Sequence, residues 1–332
     1  FGDFDLFESE RFYRPMQGKV VWMVPIETDR GCPYTCRFCE APSLVDKYKR
    51  ETGQHYFRRR SWGKVKEEIE LYVEKYGAEY IYFNAETFLA MSKTEFDEFV
   101  EVYDTVKLPF WMQTRIETLT EYHIQGLEKV GCNRISIGLE HGNEQFRQKM
   151  LGKGFSNERI IETFKILDRY SIPITINNIL GFPEETRDLV FDTIELNRLL
   201  ATDSVNAYIF TPYRGTAMYD DADSKGYIIP GEETSSLILK SILKIPTLTQ
   251  EDILGLVRTF SLYVKLPKEE WPEIAVAEQF TPEGDEKFAE LSKRYYERFF
   301  DHDFKATKKA CFSTRVYDGP RAEKQSTETI TG

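Results

Sequence analysis

Apolar and polar positions fall into an alternating pattern along the first two thirds of the chain. Short runs rich in β-branched and aromatic residues are followed by longer stretches with helical spacing. Residues 20–26 (Val-Val-Trp-Met-Val-Pro-Ile) read as a buried strand. Residues 62–76 carry Val65, Ile69, Tyr72, Val73 and Tyr76 on one helical face, and Gly77 stops the helix. Further strands are predicted at 80–83, 110–114, 134–139, 174–180 and 205–210. The intervening segments read as helices: one opened by the capping box Ser92-Lys93-Thr94-Glu95, one ending at Val130, one over 157–170 and one over 186–200. Six strand–helix units predict a parallel sheet with right-handed crossovers. The pattern by itself fits a partial barrel and an open doubly wound sheet equally.

Outside this block the pattern changes. Residues 1–18 form a polar, aromatic-rich lead. Residues 235–266 and 283–301 read as helical, with Phe288, Leu291, Tyr295 and Phe299 on one face. The expected organisation is a lead or linker at 1–18, the strand–helix unit at 19–215, a helical C-terminal subdomain at 216–319 and a flexible tail at 320–332.

Composition narrows the function classes. Hydrophobic residues at 41% and aromatic residues at 14% suit a folded enzyme and not a disordered chain. The formal net charge of −11 argues against a nucleic-acid partner, since phosphate binding needs an excess of Lys and Arg. The one basic cluster, Arg58-Arg59-Arg60, is soon followed by Glu67, Glu68 and Glu70. No apolar stretch reaches the roughly 18 residues of a spanning helix, so no membrane span is expected.

Three of the chain's five cysteines, Cys32, Cys36 and Cys39, stand in the run Gly31-Cys32-Pro33-Tyr34-Thr35-Cys36-Arg37-Phe38-Cys39. A disulfide leaves one of the three thiols unpaired. A structural zinc ion needs a fourth ligand, and His55, His123, His141, His302, Cys132 and Cys311 show no recognisable pair spacing. An iron–sulfur cluster is the third reading. Full ligation of four irons takes four thiolates, so three leave one iron open to a small molecule. Thiols and a labile cluster both call for a reducing compartment, so the cytoplasm is expected.

The spacing C-x3-C-x2-C, with aromatic Phe38 before the last cysteine, resembles the signature of the radical SAM superfamily. The resemblance covers residues from about 18 to 215. It implies a partial (β/α)6 barrel, with the cysteines on the loop after the first strand holding a 4Fe–4S cluster. The open iron would bind the amino and carboxylate groups of S-adenosylmethionine. Reductive cleavage would then give a 5′-deoxyadenosyl radical, with electrons from a donor such as flavodoxin or ferredoxin.

In parallel α/β folds, sites gather at the carboxyl ends of strands. Those ends carry the cysteines, Asn84-Ala85-Glu86, Arg115 with Glu117, Glu140-His141, Gly181-Phe182-Pro183-Glu184 and Thr211-Pro212-Tyr213. Asn84-Ala85-Glu86 stands where the superfamily keeps a Gly-Gly-Glu-like motif for the ligand's ammonium, here without the glycines. The run from Gly181 to Thr186 resembles its Gly-Phe-Pro-Gly-Glu-Thr turn, with Glu184 in place of the second glycine. By the resemblance Phe38, Asn84, Glu86, Arg115, Glu140, Asn178, Gly181 and Pro183 are the expected cofactor contacts. Arg115 would hold the carboxylate and Glu140 the ribose hydroxyls or a substrate. Turn, core or ion-pair roles explain the same residues structurally. His141 is left outside the catalytic core, and Cys132 reads as a small buried side chain.

The chain looks closest to the superfamily groups that carry a cobalamin-binding domain ahead of the barrel. The points of likeness are Phe4-Asp5-Leu6-Phe7-Glu8, Arg11-Phe12-Tyr13-Arg14-Pro15, Glu27-Thr28-Asp29-Arg30-Gly31-Cys32 and Gly138-Leu139-Glu140. That likeness implies modification, by C-methylation, of a small-molecule or peptide substrate, with cobalamin held by a domain outside this chain. A methylthiotransferase-like RNA enzyme and a non-catalytic iron–sulfur or zinc module are the alternatives.

Overall fold

The computed structural model describes residues 1–233 and 237–299. The chain opens with an antiparallel hairpin of β1 (Tyr13–Met16) and β2 (Lys19–Glu27). A short pair, β3 (Asp29–Arg30) and β4 (Arg58–Arg59), brackets helix α1 (Ala41–Thr52). Strands and helices then alternate: α2 (Trp62–Tyr76), β5 (Tyr80–Asn84), α3 (Lys93–Tyr103), β6 (Phe110–Thr114), α4 (Glu121–Lys129) and β7 (Cys132–Glu140). The second half continues with α5 (Glu144–Leu151), α6 (Asn157–Leu167), β8 (Ile174–Leu180), α7 (Arg187–Arg198) and β9 (Ser204–Ile209). Helices α8 (Ala217–Ser224), α9 (Gln250–Lys265), α10 (Trp271–Ala277) and α11 (Pro282–Phe299) complete the described part.

The main sheet has the order β1-β2-β5-β6-β7-β8-β9, and every pairing after the first hairpin is parallel. The order never reverses. A doubly wound sheet reverses at a switch point and puts helices on both faces. Six strands added in sequence with right-handed crossovers put the helices on one face and curl the sheet into a half-barrel.

Side chains alternate across the strands accordingly. Val24, Ile26, Ile81, Phe83, Phe110, Met112, Ile135, Ile137, Ile174 and Ile176 point outward and are at most 3% exposed. They share one core with Val65, Ile69, Phe99, Leu127, Ile160 and Ile194 of the helices. The Phe83 ring lies 4.9 Å from Phe88, 5.2 Å from Phe110 and 5.5 Å from Tyr103, centroid to centroid.

The inward positions are of the opposite kind. Tyr82, Trp111, Gln113, Arg134, Ser136, Thr175, Asn177, Ser204, Asn206 and Tyr208 line the concave face and bond across the strands. The Trp111 indole donates to Ser136 Oγ at 2.8 Å, and Asn206 Nδ2 donates to Asn177 Oδ1 at 3.1 Å. Thr175 and Ser204 join through their hydroxyls at 2.8 Å, and the Gln113 amide donates to the Tyr82 hydroxyl. A fully closed barrel fills this space with branched aliphatic side chains. Here Met23, Pro25 and Ile179 are the aliphatic exceptions.

Two stretches differ from expectation. Residues 13–16, read as part of a lead, form the edge strand. Gln17 and Gly18 both take positive φ (45° and 75°), the form of two-residue turn that matches strand twist. Across the foot of the half-barrel, Gln17 Nε2 donates to the Asn133 carbonyl at 3.1 Å and the Tyr80 hydroxyl to Asn133 Oδ1 at 2.8 Å. Residues 237–249, expected within a helix over 235–266, contain none. Pro246 bars a helix interior, and Thr249 opens α9 instead with a capping box to Asp252. Helix α9 then packs on β9 and α7, so the helical C-terminal region covers the last strand of the half-barrel. Residues 300–332, with Cys311 and the expected tail, lie outside the described residues.

The turn after β8 carries Glu184 at φ +64°, the position the resembling motif gives to glycine. Left-handed backbone at a residue with a Cβ costs about 1–2 kcal/mol. Exposed contacts of Glu184 Oε1 to Lys225 Nζ (3.1 Å) and the Tyr227 hydroxyl (3.0 Å) offset part of that. Two outcomes follow in urea unfolding. Phe83→Ala should lower the unfolding free energy by about 3–5 kcal/mol. Glu184→Gly should raise it by up to about 1 kcal/mol, and a clear fall would contradict the strained turn.

Candidate active site

The cysteine loop crosses the mouth of the half-barrel and is fastened from several sides. The Arg37 N–H donates to the Leu151 carbonyl at 3.0 Å, and the Met218 N–H donates to the Arg37 carbonyl at 3.1 Å. A turn bond of 3.2 Å from the Cys39 N–H to the Cys36 carbonyl brings the second and third cysteines round. Gly31 starts the loop at φ +86°, and a Cβ there would stand 2.6 Å from the Tyr56 ring, so only glycine fits. Its N–H donates to Glu86 Oε1 at 3.3 Å, which ties the loop to the end of β5.

Each sulfur has its own surroundings. Cys32 Sγ lies 3.4 Å from Thr87 Oγ1. Cys36 is buried, and Arg115 Nη1 donates to its sulfur at 2.7 Å. Cys39 Sγ accepts the Ala41 N–H at 3.5 Å, at the start of α1, whose dipole favours a thiolate. None of the three is in a disulfide. Burial pushes the Cys32 and Cys39 thiols above their ordinary range. Left alone they stay protonated and inert, and they become thiolates when a cation takes the charge. Among the described residues no three His, Cys, Asp or Glu side chains converge on a single-ion site. A cluster that gives each thiolate its own iron needs no such convergence.

The expected cofactor contacts separate into two groups. Glu86, Arg115 and Phe38 meet on the loop or on its cysteines, Glu140 joins them through Lys153, and Phe182 brings the turn of Gly181 and Pro183 against Phe38. Arg115 is buried, pairs with Glu117 Oε1 and stacks its guanidinium 4.0 Å from the Tyr34 ring centre. Burial raises the Glu86 carboxyl above the usual range, although the Gly31 N–H opposes it. The Phe38 ring meets Phe182 edge-on at 6.1 Å and so joins the loop to the turn after β8. Asn84 and Asn178 are placed otherwise. The Asn84 side chain is exposed, while its carbonyl accepts the Thr28 N–H at 3.4 Å. Asn178 faces outward and is fully buried beneath α7, its amide exchanging bonds with Asn197 at 3.2 and 3.0 Å.

Two residues that shape the site, Lys153 and Glu185, carried no readable signal in the sequence. Glu140 ends β7 at φ +68°, and a Cβ on Gly138 would meet its Oε1 at 2.3 Å, so the carboxylate folds back over a glycine. Lys153 holds it there, with Nζ 2.8 Å from Glu140 Oε1 and 2.6 Å from the Gly138 carbonyl. Lys153 sits between two glycines in a loop, where periodicity says nothing. His141 and Glu185 are both completely buried, with Nε2 3.1 Å from Oε1. His141 Nδ1 accepts the Asn143 N–H at 3.0 Å, which leaves Nε2 on the side of the carboxylate. The other oxygen of Glu185 accepts the N–H groups of Gly181 (2.5 Å) and Phe182 (3.1 Å). The pair therefore shapes the turn that carries Gly181.

A mouth with three unbridged cysteines, an arginine on one sulfur and paired buried charges around them suits a redox cofactor and an ionic ligand. The sequence model of the Radical SAM superfamily matches residues 26–196. An uncharacterized methyltransferase of Pyrococcus horikoshii is 24% identical over 262 residues, covering 78% of this chain and 54% of the relative. Among solved structures, the radical S-adenosylmethionine methyltransferase TsrM of Kitasatospora setae, with cobalamin and a 4Fe–4S cluster bound, aligns with a TM-score of 0.52. It has 16% identity and covers 68% of this chain and 41% of TsrM. The cobalamin-dependent S-adenosylmethionine radical enzyme OxsB aligns with a TM-score of 0.53 and 14% identity, over 82% of this chain and 45% of OxsB. These two likenesses show the fold, and this chain spans about half the length of these relatives or less. With half its length matched and the half-barrel in place, the chain belongs to the radical SAM superfamily.

Proposed function

We propose that this chain binds a 4Fe–4S cluster and S-adenosylmethionine at the mouth of its half-barrel and starts radical chemistry on a substrate held inside. The observation that carries the reading is the set of three unbridged cysteines, each with a different neighbour and with Arg115 on Cys36. Cys32, Cys36 and Cys39 would ligate three irons. When bound, the cluster and its ligand supply a 5′-deoxyadenosyl radical, which is the cofactor's own chemistry.

The chain's residues orient and shield. The Glu86 carboxylate is the acceptor suited to the ligand's ammonium group. Arg115 places positive charge beside the cluster thiolates and toward a carboxylate. Glu140, fixed by Lys153, offers a carboxylate for ribose hydroxyls. Gly181 and Pro183 present backbone and ring to the adenine, and Phe38 with Phe182 keeps water from one side. Asn178 shapes β8 from behind, since its side chain is turned to α7.

The reaction proposed is methyl transfer, supported by the methyltransferase relative. Cobalamin is the proposed methyl carrier, held by a domain outside these 332 residues. The substrate would be a small molecule or peptide, and the electron donor a flavodoxin or ferredoxin. No described helix is long and apolar enough to cross a membrane, and the cytoplasm is the proposed location.

Anaerobic reconstitution tests this reading. The wild-type chain should take up a four-iron cluster and release 5′-deoxyadenosine from S-adenosylmethionine under a strong reductant. Cys32→Ala, Cys36→Ala and Cys39→Ala should each lose most bound iron and all such release. A variant with full iron content and full cleavage would sink the assignment.

A further inference from the structure

We infer that Arg134, near the floor of the half-barrel, is an anchor for an oxyanion, carboxylate or phosphate, at the far end of the substrate from its reacting carbon. The inference rests on the proposed radical chemistry for its meaning, and on the inner face of the sheet for its evidence.

Most buried and half-buried cations elsewhere in the fold have acidic partners, whereas Arg159 and Lys265, away from the concave face, bond to the Leu119 carbonyl and to Thr202. Arg59 sits by Asp29, Arg60 by Glu68, Arg115 by Glu117, Lys153 by Glu140 and Arg187 by Glu278. Arg147 and Arg198 instead spread over several acceptors at the ends of helices and loops. Arg134 is half-buried and points into the concavity. Arg134 Nη1, one of five N–H donors, donates to the Thr175 hydroxyl at 2.7 Å, and among the described residues no carboxylate pairs with it. A guanidinium partly removed from water, with neutral neighbours, is an unmet demand for an anion.

Its neighbours define the rest of the ligand. In register, Trp111 pairs with Arg134 and Tyr82 with Trp111, and the two rings lie 4.7 Å apart. Both rings are half-buried and offer a wall for a flat group. Asn177, Asn206, Ser136 and Ser204 add neutral donors and acceptors, and no acidic side chain stands on these inward strand positions below Glu27 and Glu140. The foot is closed by Gln17, Tyr80 and Asn133, so an anion at Arg134 is at the end of the space. From Arg134 to Glu140 the strand runs about 20 Å at roughly 3.3 Å per residue. The substrate class is therefore an elongated acid with a flat or unsaturated body, its acid group deep and its reacting carbon near the mouth.

The test uses a matched pair of probes, hydrocinnamate and its uncharged amide, titrated by calorimetry into the cluster-loaded protein at millimolar concentration. Hydrocinnamate should bind at least about tenfold more tightly than the amide. Arg134→Gln should erase that preference, and Arg134→Lys should keep part of it, because the charge remains without the fork. Thermal melting and iron content identify a variant that has failed to fold, in which case Arg134→Lys carries the comparison. Equal binding of acid and amide to the wild type, binding of neither, or an undiminished preference in Arg134→Gln overturns the proposal. Release of 5′-deoxyadenosine by the wild type is measured separately, so failure of the radical reading is distinguishable from failure of the anion site.

Discussion

The architecture depends on burying one face of a parallel sheet and leaving the other wet. Ten outward strand positions, from Val24 to Ile176, are at most 3% exposed beneath the helices. Burial of such side chains contributes about 1.5–3 kcal/mol each, so the outer face alone fixes strand register and helix placement. The inner face cannot take part in that core, because a slip of one residue would bring Arg134, Asn177 and Asn206 under the helices. The half-barrel is thus held from outside, and its concavity is free to be chemical.

Electrostatics at the mouth follows from the same division. Charges that end apolar strands are removed from water and need partners. Arg115 finds Glu117 and a sulfur, Glu140 finds Lys153, and Glu185 finds His141 with two backbone N–H groups. These pairs fix the loops after β6, β7 and β8 around the cysteine loop. Backbone strain gathers in the same place, with Glu140 and Glu184 both left-handed. A rigid, pre-shaped mouth suits chemistry in which the protein positions a reactive cofactor and excludes water.

Much of this was legible in the sequence. Strands of alternating or continuous apolar character, such as 110–114 and 174–180, appear at the expected bounds, and so does the helix stopped by Gly77. Their signals are local, and tertiary packing agrees with them. The edge strand at 13–16 escaped because its residues are mostly exposed and polar, and its evidence is pairing with β2. The apolar spacing across 237–249 does not become a helix because Pro246 bars one and the capping box at Thr249 starts α9 later. At the site, the cysteine spacing carried its own meaning, whereas side-chain direction did not. Asn178 and Asn177 are adjacent within β8, and the period of two sends one to α7 and the other into the concavity. Lys153 and the His141–Glu185 pair depend on contacts between different loops, which no local pattern reports.

The central claim is that three cysteines leave a cluster iron open for S-adenosylmethionine at this mouth. Pulsed electron–nuclear resonance on the reduced, reconstituted protein tests it most directly, using S-adenosylmethionine with a nitrogen isotope label in its amino group. The account predicts a hyperfine coupling between the cluster and that nitrogen. A four-iron cluster whose spectrum is unchanged by the labelled ligand, with no such coupling, would contradict it.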